Sequence, residues 1–270
     1  MPNLSISRAW EETTAFVARE ARLLVPLALA LLFLPGVITG LAAPRGQQDL
    51  NGSTLNMLLF FAEVLIGVIG QIAIARLALG HREPLGQVIG HAALRLPALL
   101  GSALIIILPL SLALFAAMGA AGAITTQGNS ANPLAAMLLL LAMTILLVAL
   151  IIIIARCLLN TAIAAVERGG PIQILKRGFA MTRGQVLRLI GALLLFAIGG
   201  GIAIVALTSV VGLGVTLTLG KPEPWTVAAL LIALAGAAAQ ALLGTLFTIC
   251  FARLYAQRAE GAAGVPSTAI

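Results

Sequence analysis

The sequence predicts an all-α, polytopic integral membrane protein with six transmembrane helices. They fall into three repeats of an amphipathic helix followed by two spans, expected to pack as a pseudo-threefold bundle. Three observations lead there. Hydrophobic residues fill 61% of the 270 positions, only 9% are charged, and the mean hydropathy is +1.11. So few charges cannot cover a water-soluble surface, so the core lies in lipid. Six runs reach the length, about 20 apolar residues, that a helix needs to cross a hydrocarbon core about 30 Å thick. Three of these runs end alike, in Ala75-Arg76, Ala155-Arg156 and Ala252-Arg253, preceded by Ile74, Ile154 and Phe251.

The spans are expected at 23–43, 55–79, 98–124, 133–160, 189–219 and 225–252. The first is read as a span and not as a cleaved leader, although Leu41-Ala42-Ala43 loosely resembles a cleavage site. Glu11, Glu12 and Glu20 precede it and Pro44 follows, which does not match a compact basic n-region. Pro35 and Pro109 are expected to bend the first and third spans. Gly199-Gly200-Gly201, with Gly212 and Gly214, points to a kink or break in the fifth. The fourth is expected to continue through Asn160 and Ala164 before ending near Gly169-Gly170. Small residues such as Gly36/Gly40 and Gly67/Gly70 suit close helix packing.

The repeats are placed at about 5–79, 84–168 and 171–258 of a single membrane domain, with 259–270 as a flexible tail. Each opens on a segment of helical period. In the first, Ile6, Trp10, Thr13, Val17 and Leu24 recur at helical steps. In the third, Ile172, Leu175, Phe179 and Val186 share a face while Lys176, Arg177 and Arg183 stand off it. Pro84 and Pro171 suit a first helical turn, where a missing N–H costs nothing. Such a segment either lies in the membrane interface, basic side toward anionic headgroups, or packs under the bundle.

Of the 16 Lys and Arg residues, Arg45 and Lys221 lie on one side of the membrane and the other fourteen on the opposite side. Both termini are therefore expected in the cytoplasm. The same topology accounts for the net charge of +7, and no nucleic-acid partner is expected.

The stretch Ile174 to Gly191, with Lys176-Arg177-Gly178-Phe179-Ala180-Met181-Thr182-Arg183-Gly184 running into an apolar span, resembles a recurring element of one family. That family is the bacterial glycerophosphoryl diester phosphodiesterase membrane-domain family, including the YciC-like inner-membrane proteins. Ser5 to Phe16 and the closing Phe251-Ala252-Arg253-Leu254-Tyr255 are similar to it too, so the resemblance covers essentially the whole chain. It implies a multi-pass protein of the bacterial inner (plasma) membrane. No fused hydrolase domain such as some relatives carry is expected here, and the resemblance carries over no catalytic residue.

The sequence holds little that could run a reaction. Nine carboxylates and two histidines, mostly in loops, do not supply the convergent ligands of a metal-dependent hydrolase. There is no Walker loop, dinucleotide fingerprint or nucleophile–His pairing. His81-Arg82-Glu83 reads as an interfacial cap, and Cys157 and Cys250 as packing residues. No enzyme activity, metal or cofactor is expected.

Two groups of residues are candidates for binding. Glu63 is the one carboxylate inside an apolar run, 13 residues before Arg76 and so about 20 Å along a helix. The equivalents before Arg156 and Arg253 are Met143 and Gln240. Either Glu63 and Gln240 face a central space lined by spans two, four and six, or they are interhelical hydrogen-bond glue. Arg76, Arg156 and Arg253 either converge on lipid phosphate or snorkel to the interface. With Lys176, Arg177 and Arg183 they form the expected phospholipid-binding set at the cytoplasmic face. The expected function is non-enzymatic lipid binding or handling, or an envelope accessory role. The alternatives are a small transporter or channel using Glu63, and a scaffold for a membrane-protein partner.

Overall fold

The computed structural model describes residues 5–43, 54–81, 83–126, 133–167 and 169–263. Arg45, Arg82, Arg168 and the last seven residues of the expected tail lie outside them. Among the described residues the chain is all helical, and six helices are long and apolar enough to cross a membrane.

Helix α1 (Ile6–Ala28) starts at Ser5, whose side chain accepts from the Arg8 N–H. It turns non-helical at Glu20 (φ −106°, ψ 16°), where the amphipathic opening gives way to the first span. A five-residue π turn, Leu29–Phe33, follows and leads into α2 (Leu34–Ala42) with Pro35 in its first turn. Pro35 offers no N–H to the turn before it, and the widened π turn adjoins that gap.

The second span is α3 (Thr54–Ala78). The third is α4 (Leu85–Thr126), which passes Pro97 and Pro109 as one helix. The second amphipathic segment is therefore not a separate helix but the first turns of α4. The fourth span is α5 (Pro133–Cys157); a turn at Leu158-Leu159 separates it from α6 (Asn160–Val166), so the expected cytoplasmic extension exists but is offset.

Helix α7 (Pro171–Thr182) is the third amphipathic segment, with Pro171 in its first turn and the Gln173 side chain accepting from the Gly170 N–H. The chain reverses at Gly184, whose φ of +82° only glycine adopts easily, and enters α8 (Val186–Leu219). The glycine triplet does not break α8, which has no side chain there to crowd a neighbour and keeps its backbone hydrogen bonds in lipid. The last span is α9 (Val227–Ala263). It runs past the expected end, so the start of the expected tail, 259–263, is helical.

The spans neighbour one another in the order α2, α3, α4, α5, α8, α9, and α9 closes back on α2 and α3. Helix α5 finds its main partners in α4, α7 and α8, while its continuation α6 packs on α3, α4 and α9. The core therefore gathers at one end. Ile72 to Ala78 of α3, Leu159 to Ala165 around α6 and Ile249 to Tyr255 of α9 meet there, covered by α1 and α7. At the opposite end, the Trp225 N–H donates to the Leu41 carbonyl at 3.1 Å and ties the α8–α9 loop to the end of α2.

Candidate functional site

The packed end holds all three repeat arginines, each on a different partner. Arg76 is almost wholly enclosed. Its Nη2 and Nε donate to the two carboxylate oxygens of Glu83 at 2.7 and 3.2 Å, and its Nη1 donates to the Ala165 carbonyl at 2.8 Å. Ala165 lies in the last turn of α6, where a cation meets the negative end of the helix. The Arg76 guanidinium beside Glu83 holds that carboxyl below the usual carboxylate range. Arg156 lies over the Phe179 ring of α7 at 5.1 Å, and Arg253 over the Phe16 ring of α1 at 5.0 Å. Such cation–π contacts contribute about 0.5–2 kcal/mol. All three arginines thus bind the protein itself: Arg156 and Arg253 hold the amphipathic segments α7 and α1 to the spans, and Arg76 ties α3 to α6 and to Glu83 in the loop before α4.

Two further bridges complete the junction. Glu167 accepts from Arg177 Nε at 3.1 Å and from the Tyr255 hydroxyl at 2.9 Å, joining α6 to α7 and α9. Arg258 donates to the carbonyls of Met181 and Arg183 at the end of α7. Lys176 and Arg183 keep their side chains outward. Helix α7 buries Ile174, Gly178, Met181 and Thr182 while leaving Ile172 and Phe179 at the surface beside those two cations. It both packs under the spans and keeps an amphipathic outer side.

Glu63 sits elsewhere, toward the opposite end. Its Oε1 is 3.5 Å from where a Cβ on Gly36 would be, and that point is 3.4 Å from the Ala237 Cβ. Helices α2, α3 and α9 meet there through small residues. No hydrogen bond joins Glu63 to Gln240 among the described residues, and Met143 of α5 belongs to a helix whose main contacts are with neither α3 nor α9. Met143 is thus set apart from the other two, whereas Glu63 borders Gly36, which lines a small pocket together with Ala237 and Gln240.

Gln240 also marks the end of a groove of about 390 Å³ between α8 and α9. Its α8 wall runs from Leu193 to Ile204 and its α9 wall from Gln240 to Phe247, with Gly200, Gly201 and Gly244 lying between. Beside it stands an aromatic cluster. The Phe196 ring lies 5.6 Å from Phe247, 6.2 Å from Phe251 and 5.9 Å from Trp10 of α1.

A family model matches residues 4–258, which takes in the arginine junction, Glu63 and the groove. The chain belongs to the family described as Domain of unknown function (DUF7847). No curated protein and no solved structure matches it.

In this DUF7847 protein, sequence reasoning missed Glu83 and Glu167. Glu83 looked like part of an interfacial cap with His81 and Arg82, because a turn at Gly80 (φ +89°) hides its proximity to Arg76 from any helical spacing. Nothing local marks Glu167 as the shared acceptor of α7 and α9. Among the described residues no cluster of three or more His, Cys, Asp or Glu could hold a metal ion.

Proposed function

We propose that this is a non-enzymatic protein of a bacterial inner membrane that binds anionic phospholipid at the cytoplasmic end of its bundle. One observation carries the reading. On α7, Ile172 (60% exposed) stands one helical turn from Lys176 and Phe179 one turn from Arg183, so large apolar and basic side chains share its outer side. At the level of the interface this pairing suits acyl chain and phosphate together. The repeat reading draws support from the junction. Arg76 of the first unit reaches Ala165 of the second, Arg156 of the second reaches Phe179 of the third, and Arg253 of the third reaches Phe16 of the first. The resemblance to the phosphodiesterase membrane domains fits the same setting.

The decisive variants are Lys176→Gln with Arg183→Gln, because Arg76, Arg156 and Arg253 also hold the fold. Extracted gently from native membrane, wild type is expected to carry discrete phospholipid masses in native mass spectrometry, and the double variant to lose them. A bare wild type, one bound to a stoichiometric protein, or an unchanged variant overturns the proposal. A second reading, a small transporter or channel, has Glu63 in its favour, the one carboxylate within the apolar runs, beside a span interrupted by a π turn. Proteoliposomes decide it: a flux abolished by Glu63→Gln supports that reading, and no flux in wild type removes it.

A further inference from the structure

We infer that Glu63 holds one monovalent cation, a proton or a sodium ion, in the seam where α2, α3 and α9 meet. This deepens the second reading above by naming the class of ion, and rests on that reading for what the ion does.

The packing of α3 on the first span places the site. Gly70 packs against Leu31 and Leu32, Gly67 faces Leu32, and Glu63, one turn further from the arginines, has its Oε1 beside Gly36. Glu63 therefore stands where the π turn and Pro35 interrupt the first span. Interrupted helices are where backbone oxygens become available to ions at membrane depth. Arg76 is thirteen residues away, about 20 Å along α3, so with the arginine-rich end at the interface Glu63 lies inside a hydrocarbon core about 30 Å thick.

No neighbouring element brings this carboxylate a countercharge. The π turn, α2, α6 and the stretch of α9 from Val227 to Ala252 contain no Asp, Glu, Lys, Arg or His, and α4 contains none after Arg95. Arg22 of α1 and Arg253 of α9 are fourteen residues from Gly36 and sixteen from Ala237, so about 20 Å or more along their helices. Cys250, the one titratable group on that stretch of α9, is at the same far end. Lys221 and Glu223 are exposed in the loop beyond the tie between Trp225 and Leu41. An ionised carboxylate in hydrocarbon is costly without a partner, and a bound cation supplies one. One carboxylate balances one positive charge, so the ion is monovalent.

The seam admits only a small occupant. A Cβ at Gly40 would fall 3.0 Å from that of Ala233, and one at Gly36 3.4 Å from that of Ala237. A cavity of about 30 Å³ follows the seam from Gln240 past Gly36 and Gly40 to Ala229, toward the end away from the arginines. That is room for about two waters. Gln240, the polar side chain of its lining, offers an amide oxygen to a cation.

Carbodiimides test the site. They add to a protonated carboxyl: its oxygen bonds to the central carbon, its proton passes to a nitrogen, and the product rearranges to a stable N-acylurea. Vesicles bearing the full chain are treated with lipid-soluble dicyclohexylcarbodiimide or with a water-soluble carbodiimide, over a pH series, in sodium or choline chloride. Adducts are mapped by peptide mass spectrometry, with Glu63→Gln as the blank. Wild type is expected to carry the lipid-soluble label on Glu63 at least tenfold above Glu11, Glu12 and Glu223. Labelling that rises as pH falls and ignores sodium assigns a proton; labelling suppressed by sodium but not by choline assigns sodium. Glu63 unlabelled in every condition while exposed carboxylates react overturns the site. So does equal reaction with the water-soluble reagent, which would put Glu63 in water. Labelling indifferent to both pH and sodium marks a carboxyl locked as helix glue, and overturns it too. Flux is scored apart in proteoliposomes: an ion-sensitive label without flux keeps the site and removes the transport reading.

Discussion

At the arginine-rich end, α3, α6 and α9 bury Ile72, Ile163 and Ile249 completely, whereas α4 and α5 turn Leu108, Leu112, Leu140 and Ile145 outward along most of their length. A third of the sixth span's apolar stretch is buried within the protein and none of the fourth's. The two regions have similar composition and different solvents. Near the interface water is at hand, so enclosing an isoleucine there is favourable. In hydrocarbon a leucine gains nothing by leaving lipid, and helices associate only where side chains allow close contact or hydrogen bonds. Helix α2 meets α9 through Gly36, Gly40, Ala233 and Ala237, with a Cβ at Gly40 falling 3.0 Å from that of Ala233. The leucine-rich faces of α4 and α5 have no such surface.

The contrast can be broken most directly by truncating one side chain in each region. Ile163→Ala, in the packed end, is expected to cost about 2–4 kcal/mol through the cavity it leaves. Leu140→Ala, facing lipid on α5, is expected to stay within about 0.5 kcal/mol of wild type. Unfolding followed in one detergent for both variants measures the difference, and equal losses would remove the comparison.

A smaller effect is expected from Gly178→Ala. Its new Cβ would collide with the Asn160 side chain and come within 3.4 Å of the Arg156 carbonyl, so α7 must shift off α6. Overpacking of this kind costs about 1–3 kcal/mol. Gly191→Ala on α8, whose Cβ meets nothing within 4 Å, serves as the neutral control in the same thermal assay.

The Arg76–Glu83 pair gives the smallest and most specific signal. Pairing lowers the Glu83 carboxyl in the folded state relative to the unfolded chain. Its stabilisation is therefore complete above the ordinary carboxylate range and fades as pH falls through the lowered folded value. Thermal stability of wild type is expected to decline over that acidic window more than that of Glu83→Gln, which starts lower. Parallel pH profiles would show that the pair does not sharpen the packed end.

The sequence made the membrane class, the six spans and the third amphipathic helix legible, because hydropathy and helical period act locally. Two element boundaries went astray for a shared reason. Gly199-Gly200-Gly201 looked like a kink or break, yet α8 runs through them unbroken because a helix in lipid keeps its hydrogen bonds whatever its propensity, and Gly200 and Gly201 line the groove. The interruption falls instead at Leu29–Phe33, just ahead of Pro35, where only the bend was legible. The basic candidates were found by counting charges, but counting does not reveal partners. That Arg76 would be enclosed by Glu83 and Ala165, while Lys176 stays outside, depends on how α6 folds back onto α3 and α9.

The account turns on whether the arginine-rich end selects a lipid. Wild-type protein would be reconstituted in nanodiscs of equal phosphatidylglycerol and phosphatidylethanolamine, released gently, and the lipid still attached identified by native mass spectrometry. The expected result is a small fixed number of lipids per chain, strongly enriched in the anionic species. No retained lipid, or retained lipid in the proportions of the host bilayer, would contradict it.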